Sequence, residues 1–221
     1  MSTVQASRLH HGPRMNLTTS NTEPILSIAH LAPATEAEGP GRRFALWFQG
    51  CPLRCPGCCN PEILPFTGGT PMPLADIVRQ LGEAKERHAI EGITLLGGEP
   101  FAHAGGAAAL AEAAHDLDLS VMVFTGYPLD ELRENTDEPI RRLLAHTDIL
   151  VDGPYLRERP ETRRRWIGSA NQRVHFLSDR CSPDDPRWLL PNTLEIRLHG
   201  GEVTINGFPA RQAVGLWKRM A

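Results

Sequence analysis

The segment Phe48-Gln49-Gly50-Cys51-Pro52-Leu53-Arg54-Cys55-Pro56-Gly57-Cys58-Cys59-Asn60-Pro61 sets three thiols at C-x3-C-x2-C spacing on a loop broken by prolines and glycine. Such a loop can wrap an ion or a cluster. Structural zinc usually takes four protein ligands and often opens on C-x2-C, whereas three thiolates can hold three irons of a [4Fe–4S] cube and leave the fourth iron open to another ligand. The spacing therefore points first to an iron–sulfur cluster. Zinc with a fourth ligand such as Cys59 or a histidine, and unligated cysteines, are the alternatives. The nine histidines are scattered and suggest no metal set of their own. Five cysteines are an odd number, and three of them within residues 51–58 suit a metal centre better than a disulfide frame.

These groups need a scaffold, and the chain alternates strand-like with helix-like segments from Pro24 onward. Phe44 to Phe48 is a continuous apolar run, as in a strand buried on both faces. Leu74, Ile77, Val78 and Leu81 give one face of a helix over 74–89, and a second strand over Ile93 to Leu96 runs into Gly97-Gly98-Glu99-Pro100. Gly105 to Asp118 reads as helix with Leu110, Ala113, Ala114 and Leu117 on one face, and Val121 to Thr125 as strand. Pro139 fits a first helical turn after Asp137 or Glu138. Asp148 to Asp152 and Val174 to Leu177 read as further strands, Thr193 to Leu198 and Val203 to Asn206 as a hairpin, and a short helix from Arg211 closes the chain. About six mainly parallel strands are expected, in a partial (β/α) barrel or an open doubly wound sheet, which periodicity does not separate. Both folds place chemistry at the carboxyl ends of strands. The cysteine loop, Gly97 to Pro100, Thr125-Gly126-Tyr127 and Asp152-Gly153 all follow predicted strands, so four motifs point to one face.

Composition bounds the rest. At 221 residues, 41% hydrophobic and 22% charged, the chain is expected to fold as one domain over 25–221 behind a flexible tail over 1–24. Disordered and fibrous classes are excluded. A net charge of −3 offers no general attraction to nucleic acid or to an anionic membrane surface. No apolar run exceeds five residues and the first residues lack the apolar stretch of a signal peptide, so a cytoplasmic location is expected. Six arginines between Arg157 and Arg173, against Glu158 and Glu161, suit either a solvated face or docking of an acidic partner.

The cysteine loop followed one unit later by Gly-Gly-Glu-Pro resembles the radical S-adenosylmethionine (SAM) superfamily. Glu38-Gly39-Pro40-Gly41-Arg42, Thr125-Gly126-Tyr127, Leu150 to Gly153, Gly168 to Arg173 and Val203 to Pro209 add resemblance to the activating proteins of anaerobic ribonucleoside-triphosphate reductases, covering residues 26–209. That resemblance implies a partial (β/α) barrel. It implies a [4Fe–4S] cluster on Cys51, Cys55 and Cys58 whose open iron binds SAM, reductive cleavage of SAM to a 5′-deoxyadenosyl radical, and hydrogen abstraction from a glycine of a glycyl-radical enzyme. An electron donor such as flavodoxin or ferredoxin is implied with it.

On this reading Gly97 and Gly98 admit the methionine end of SAM, and Glu99 accepts from its ammonium group. Gly57 stands where many superfamily members place an aromatic residue beside the adenine, and glycine there is common in the reductase-activating branch. Cys59 replaces the usual aromatic residue or histidine; its backbone can touch SAM, and its thiol is passive packing, an alternative ligand or a redox liability. Thr125 and Asp152 suit the ribose or carboxylate of SAM, with capping or turn formation as their ordinary alternative. Only Cys59 and Cys181 remain beyond the three ligands, which disfavours an auxiliary cluster. A radical SAM enzyme acting on a peptide or small molecule, of the size class of the 7-carboxy-7-deazaguanine synthases, is the second reading, and a non-catalytic iron–sulfur module the third.

Overall fold

The computed structural model describes residues 24–199 and 202–207. The chain forms β1 (Ile25–Thr35), β2 (Arg43–Phe48), β3 (Thr70–Pro73), α1 (Leu74–His88), β4 (Gly92–Gly97), α2 (Ala104–Asp116), β5 (Ser120–Phe124), α3 (Leu129–Glu134), α4 (Glu138–Ala145), β6 (Ile149–Asp152), β7 (Arg173–Phe176), β8 (Glu195–His199) and β9 (Glu202–Asn206), with short 3-10 turns at Pro61–Ile63, Pro100–His103 and Pro186–Leu189. The tail up to Glu23, the Gly200-Gly201 turn and the helix expected from Arg211 lie outside the described residues.

Seven strands make one sheet in the order β3-β1-β2-β4-β5-β6-β7, and β8 pairs with β9 as the expected hairpin. The expectation of about six mainly parallel strands is corrected in number, while the mainly parallel sense holds for five of the seven strands. β2, β4, β5 and β6 pair in parallel; β1 and β7 run antiparallel on the two sides of that group, and β3, antiparallel to β1, runs in the same sense as β2. The two strands missing from the sequence reading have a physical reason to be hard to see. β1 is interrupted by register shifts between Ile28 and His30 and between Ala32 and Thr35, which break the two-residue period. β3 is Thr-Pro-Met-Pro at the sheet edge, where proline's missing N–H costs no ladder bond. By contrast, α4 begins at Glu138 with Pro139 in its first turn, as its sequence requires.

The side chains of β2 alternate between two environments. Phe44, Leu46 and Phe48 join Ile77 and Leu81 of α1, Leu110 of α2, Leu132 of α3 and Leu143 of α4 in one core, so all four helices cover the same face of the sheet. Ala45 and Trp47 point to the other face, with Leu96. A doubly wound sheet carries helices on both faces, whereas the helices of the described residues all lie on one. No helix among the described residues is long and apolar enough to cross a membrane.

Arg43 secures the starts of three strands from the helix-free face. Its Nε donates to Thr94 Oγ1 (2.6 Å), Nη1 to Pro40 O (3.2 Å) and Ser120 Oγ (3.0 Å), and Nη2 to Ile93 O (2.6 Å) and Ser120 O (3.0 Å). Every guanidinium N–H thus has an acceptor, and all five acceptors are uncharged. Burial lowers its pKa to about 10, and the five hydrogen bonds, with longer-range attraction from Asp148 and Glu91, keep a cation in the interior. Arg43→Leu would orphan several buried acceptors at once and should lower unfolding free energy by on the order of 3 kcal/mol, read from urea denaturation.

Candidate functional site

The four motifs do meet. Cys51, Cys55, Cys58 and Cys59, then Gly97 to Glu99, Thr125-Gly126 and Gly153, line one cavity of ≈ 590 Å³ at the carboxyl ends of the parallel strands. Glu38 from the β1–β2 connection, Tyr155, and Val203 to Gly207 of the last hairpin complete its wall.

Backbone bonds set the cysteine loop in place. Gly98 N–H donates to Phe48 O (2.8 Å) and Glu99 N–H to Gly50 O (3.0 Å), while Gly50 and Cys51 donate to Ile63 O (2.8 Å) and Leu64 O (3.0 Å). The approach is close enough that a Cβ on Gly98 would overlap the Gly50 carbonyl oxygen, and one on Gly97 (φ 99°) would sit 2.6 Å from Trp47 Cα. The need for glycine at these positions thus already arises within the chain. Between Cys55 and Cys58, Pro56-Gly57 make a turn closed by Cys58 N–H to Cys55 O (3.1 Å), and Gly57 takes φ 72°, as a Pro-Gly turn of type II demands.

Each of the three sulfurs receives backbone donors. Leu53 and Arg54 N–H point to Cys51, Tyr155 N–H to Cys55 and Asn60 N–H to Cys58. Burial still dominates at Cys51, pushing its thiol up to about 11, and raises Cys55 as well. Cys58 goes the other way, to about 6, because the Cys59 thiol donates to it; Cys59 itself is raised by that bond and by burial of its sulfur. Among the described residues no three His, Cys, Asp or Glu side chains are gathered closely enough to chelate a single metal ion. A tetrahedral zinc needs that convergence, whereas each thiolate of a cubane bonds a different iron. Three thiols with N–H donors on their sulfurs fit the thiolates of a cluster.

Glu99 is buried and fixed by three donors: Phe101 N–H (3.0 Å) and Thr125 Oγ1 (2.9 Å) on Oε1, and Gly126 N–H (2.9 Å) on Oε2. Burial outweighs those bonds and raises its pKa to about 7. Thr125 in turn accepts from Tyr127 N–H (3.1 Å), so its hydroxyl organises the turn that carries Gly126. Asp152 and Gly57 stand apart from the cavity wall. The Asp152 carboxylate takes Leu129 N–H (2.7 Å) and Arg173 Nη2 (2.7 Å), with His175 Nε2 at 3.1 Å but not aligned as a hydrogen bond. Burial opposes its ionisation, and these partners together hold its pKa below the usual range.

The sequence pattern assigns no site role to Glu38 or to the hairpin, because neither follows a parallel strand. Their signal is long-range: Glu38 Oε1 accepts from Gly207 N–H (2.8 Å), Glu195 Oε1 accepts from Glu36 N–H (2.7 Å), and Arg197 Nη2 donates to Ala34 O. These bonds fasten the hairpin to β1 and the connection after it. Burial, partly offset by the Gly207 bond, pushes Glu38 up to about 8.

Two outcomes test this geometry. Gly98→Ala should destabilise the fold by about 1–3 kcal/mol in chemical denaturation, because the Gly50 carbonyl must move. A carboxyl with a raised folded-state pKa contributes stability below its unfolded value, near 4.5, and loses it as pH rises to about 8. Glu38→Gln keeps an acceptor for Gly207 and should flatten the stability–pH curve across that window in urea titrations.

Residues 37–175 match the family model described as a 4Fe-4S single cluster domain. The anaerobic ribonucleoside-triphosphate reductase-activating protein of Haemophilus influenzae is 32% identical over 151 residues, 65% of this chain and 93% of that protein. Those of Escherichia coli K12 (29% over 153 residues, 66% and 95%) and Enterobacteria phage T4 (26% over 159 residues, 70% and 96%) are similar in extent. The crystal structure of QueE from Escherichia coli gives a TM-score of 0.36 at 18% identity over 46% of this chain and 53% of that one, a likeness too slight to bear on the fold. With a cluster-domain match over most of the folded chain and relatives spanned almost end to end, the chain belongs to the family of anaerobic ribonucleoside-triphosphate reductase-activating proteins and contains a 4Fe-4S single cluster domain.

Proposed function

We propose that the chain activates an anaerobic ribonucleoside-triphosphate reductase by removing a hydrogen atom from a glycine of that partner, using SAM bound in the cavity described above. The convergence of three cysteines, a paired glycine turn and the fixed carboxylate of Glu99 on one wall carries this reading. Cys51, Cys55 and Cys58 would hold the cluster through three irons, with the fourth left to the amino and carboxylate groups of SAM. When bound, the cluster supplies the single electron that cleaves SAM to methionine and a 5′-deoxyadenosyl radical, the species that takes hydrogen from the glycine.

The protein's own part is placement. Oε1 of Glu99 is occupied by two donors and Oε2 by one, which leaves acceptor capacity on Oε2 for the SAM ammonium. Gly97 and Gly98 keep the adjacent wall free of side chains, and Cys59 offers its backbone. Thr125 acts chiefly by orienting Glu99. Asp152 and Gly57 act from behind the wall, the first by holding the N-terminus of α3 and the second by shaping the Cys55–Cys58 turn. The one-sided helix layer and the progressive order of the parallel strands support a partial (β/α) barrel, whose helix-free face forms the cavity.

After anaerobic reconstitution the chain should carry about four irons and form 5′-deoxyadenosine under reduction, and Cys55→Ala should abolish that product. Mixed with SAM, reductant and its cognate reductase, the chain should give a protein-centred glycyl signal in electron paramagnetic resonance. An intact cluster without SAM turnover would sink the cofactor assignment; turnover without a glycyl signal would move the acceptor to a peptide or small molecule.

A further inference from the structure

The six arginines between Arg157 and Arg173 divide into two groups. Arg164 pairs with Glu161 (2.5 Å), Arg173 pairs with Asp152 (2.7 Å), and Arg165 is buried, donating to Thr193 Oγ1 (2.7 Å). These three brace the loop. Arg157, Arg159 and Arg163 are exposed, and among the described residues none of them meets a carboxylate in a hydrogen bond or ion pair. Their backbone is nevertheless pinned, since Ala170 N–H donates to Arg159 O (2.7 Å), Glu161 N–H to Gly168 O (3.3 Å) and Leu156 N–H to Ser169 Oγ (3.1 Å). Three charges are thus presented on an ordered loop and left unneutralised, with Glu158 as the one exposed acid between them.

Their location is specific. A Cβ on Gly57 would lie 2.7 Å from Arg157 Cδ, so that side chain rests on the turn between Cys55 and Cys58. The same segment supplies the Tyr155 N–H that approaches the Cys55 sulfur. Arg54, exposed on the cysteine loop, adds a fourth charge. Tyr155, Cys55 and Cys58 line the cavity, and these four arginines do not. Arg54 and Arg157 therefore lie at the cysteine loop outside the cavity lining, and Arg159 and Arg163 follow on the same pinned segment as Arg157.

We infer that Arg54, Arg157, Arg159 and Arg163 are the docking surface for an acidic protein that delivers one electron to the cluster, an inference that rests on the function proposed above. The chemistry requires an external reductant: among the described residues no other metal-binding group occurs, and only Cys59 and Cys181 remain outside the three ligands. One electron leaves the reduced donor, which ends one electron more oxidised, and enters the cluster; no proton or group moves with it. The acceptor glycine must come through the cavity mouth, so a reductant bound at the same time has to use the outer flank. On a chain of net charge −3, a local positive patch also orients an acidic partner by attraction there and repulsion elsewhere.

The test uses the reconstituted holoprotein and flavodoxin as the acidic one-electron donor. Binding is followed by flavin fluorescence at about 50 mM and about 300 mM salt, a change that shortens the screening length about 2.5-fold and weakens attraction between exposed charges. Arg159→Glu with Arg163→Glu should weaken binding about tenfold or more at low salt and remove most of the salt dependence, while the double lysine variant should bind nearly as well as the parent. Formation of 5′-deoxyadenosine should fall by a similar factor when reduced flavodoxin is the donor and stay unchanged when dithionite is. Unaltered flavodoxin binding overturns the inference, and so does a loss confined to binding of the reductase, which would give the patch to the acceptor. If the parent makes no 5′-deoxyadenosine even with dithionite, the proposed function fails, and the binding measurement still judges the patch.

Discussion

Two backbone hydrogen bonds, from Gly98 N–H to Phe48 O and from Glu99 N–H to Gly50 O, join the ends of neighbouring parallel strands just where each strand stops. The contact is possible only because residue 98 has no side chain. Through it, the loop that carries the cysteines and the turn that carries Glu99 hold a fixed mutual position. Glu99 then reaches across to Thr125 and Gly126, so the third strand end is referenced to the first two. A chain of short backbone contacts therefore sets the relation between the thiols and the carboxylate, and the apolar core beneath keeps the strands in register.

The electrostatic design follows from burial at that junction. Desolvation pushes the Cys51 thiol and the Glu99 carboxyl toward their neutral forms, and the donors aimed at each only partly oppose it. A site of this kind favours charge only when a compensating ion arrives. On the function proposed, iron on the sulfurs and an ammonium beside the carboxylate would supply that compensation.

Much of this was readable from residue order. The apolar runs over 44–48 and 93–96, the helix face of Ile77 and Leu81, and Pro139 at a helix start all encode local structure, and each is found within a residue or two of its expected place. The convergence of the cysteine loop, Gly97 to Glu99 and Thr125 was also legible, because parallel βα units deliver their strand ends to one side. Asp152 shows where that logic stops. Its position at a strand end was visible, but its bond to Leu129 depends on the placement of α3 and its bond to Arg173 on an antiparallel strand whose partner periodicity does not name. β1, β3 and the docking of the last hairpin were hidden for the same reason: bulges, edge prolines and contacts over more than a hundred residues leave no local period.

The single helix layer has a structural corollary. Among the described residues, what covers the cavity face comes from connections and from a hairpin fastened at its rim by Glu195, Arg197 and the Glu38–Gly207 bond, while the helices and their hydrophobic contacts lie on the far side. The cover can consequently be lengthened, shortened or replaced without repacking the interior. A change in the cover would therefore alter what the cavity admits while leaving the strand–helix packing untouched.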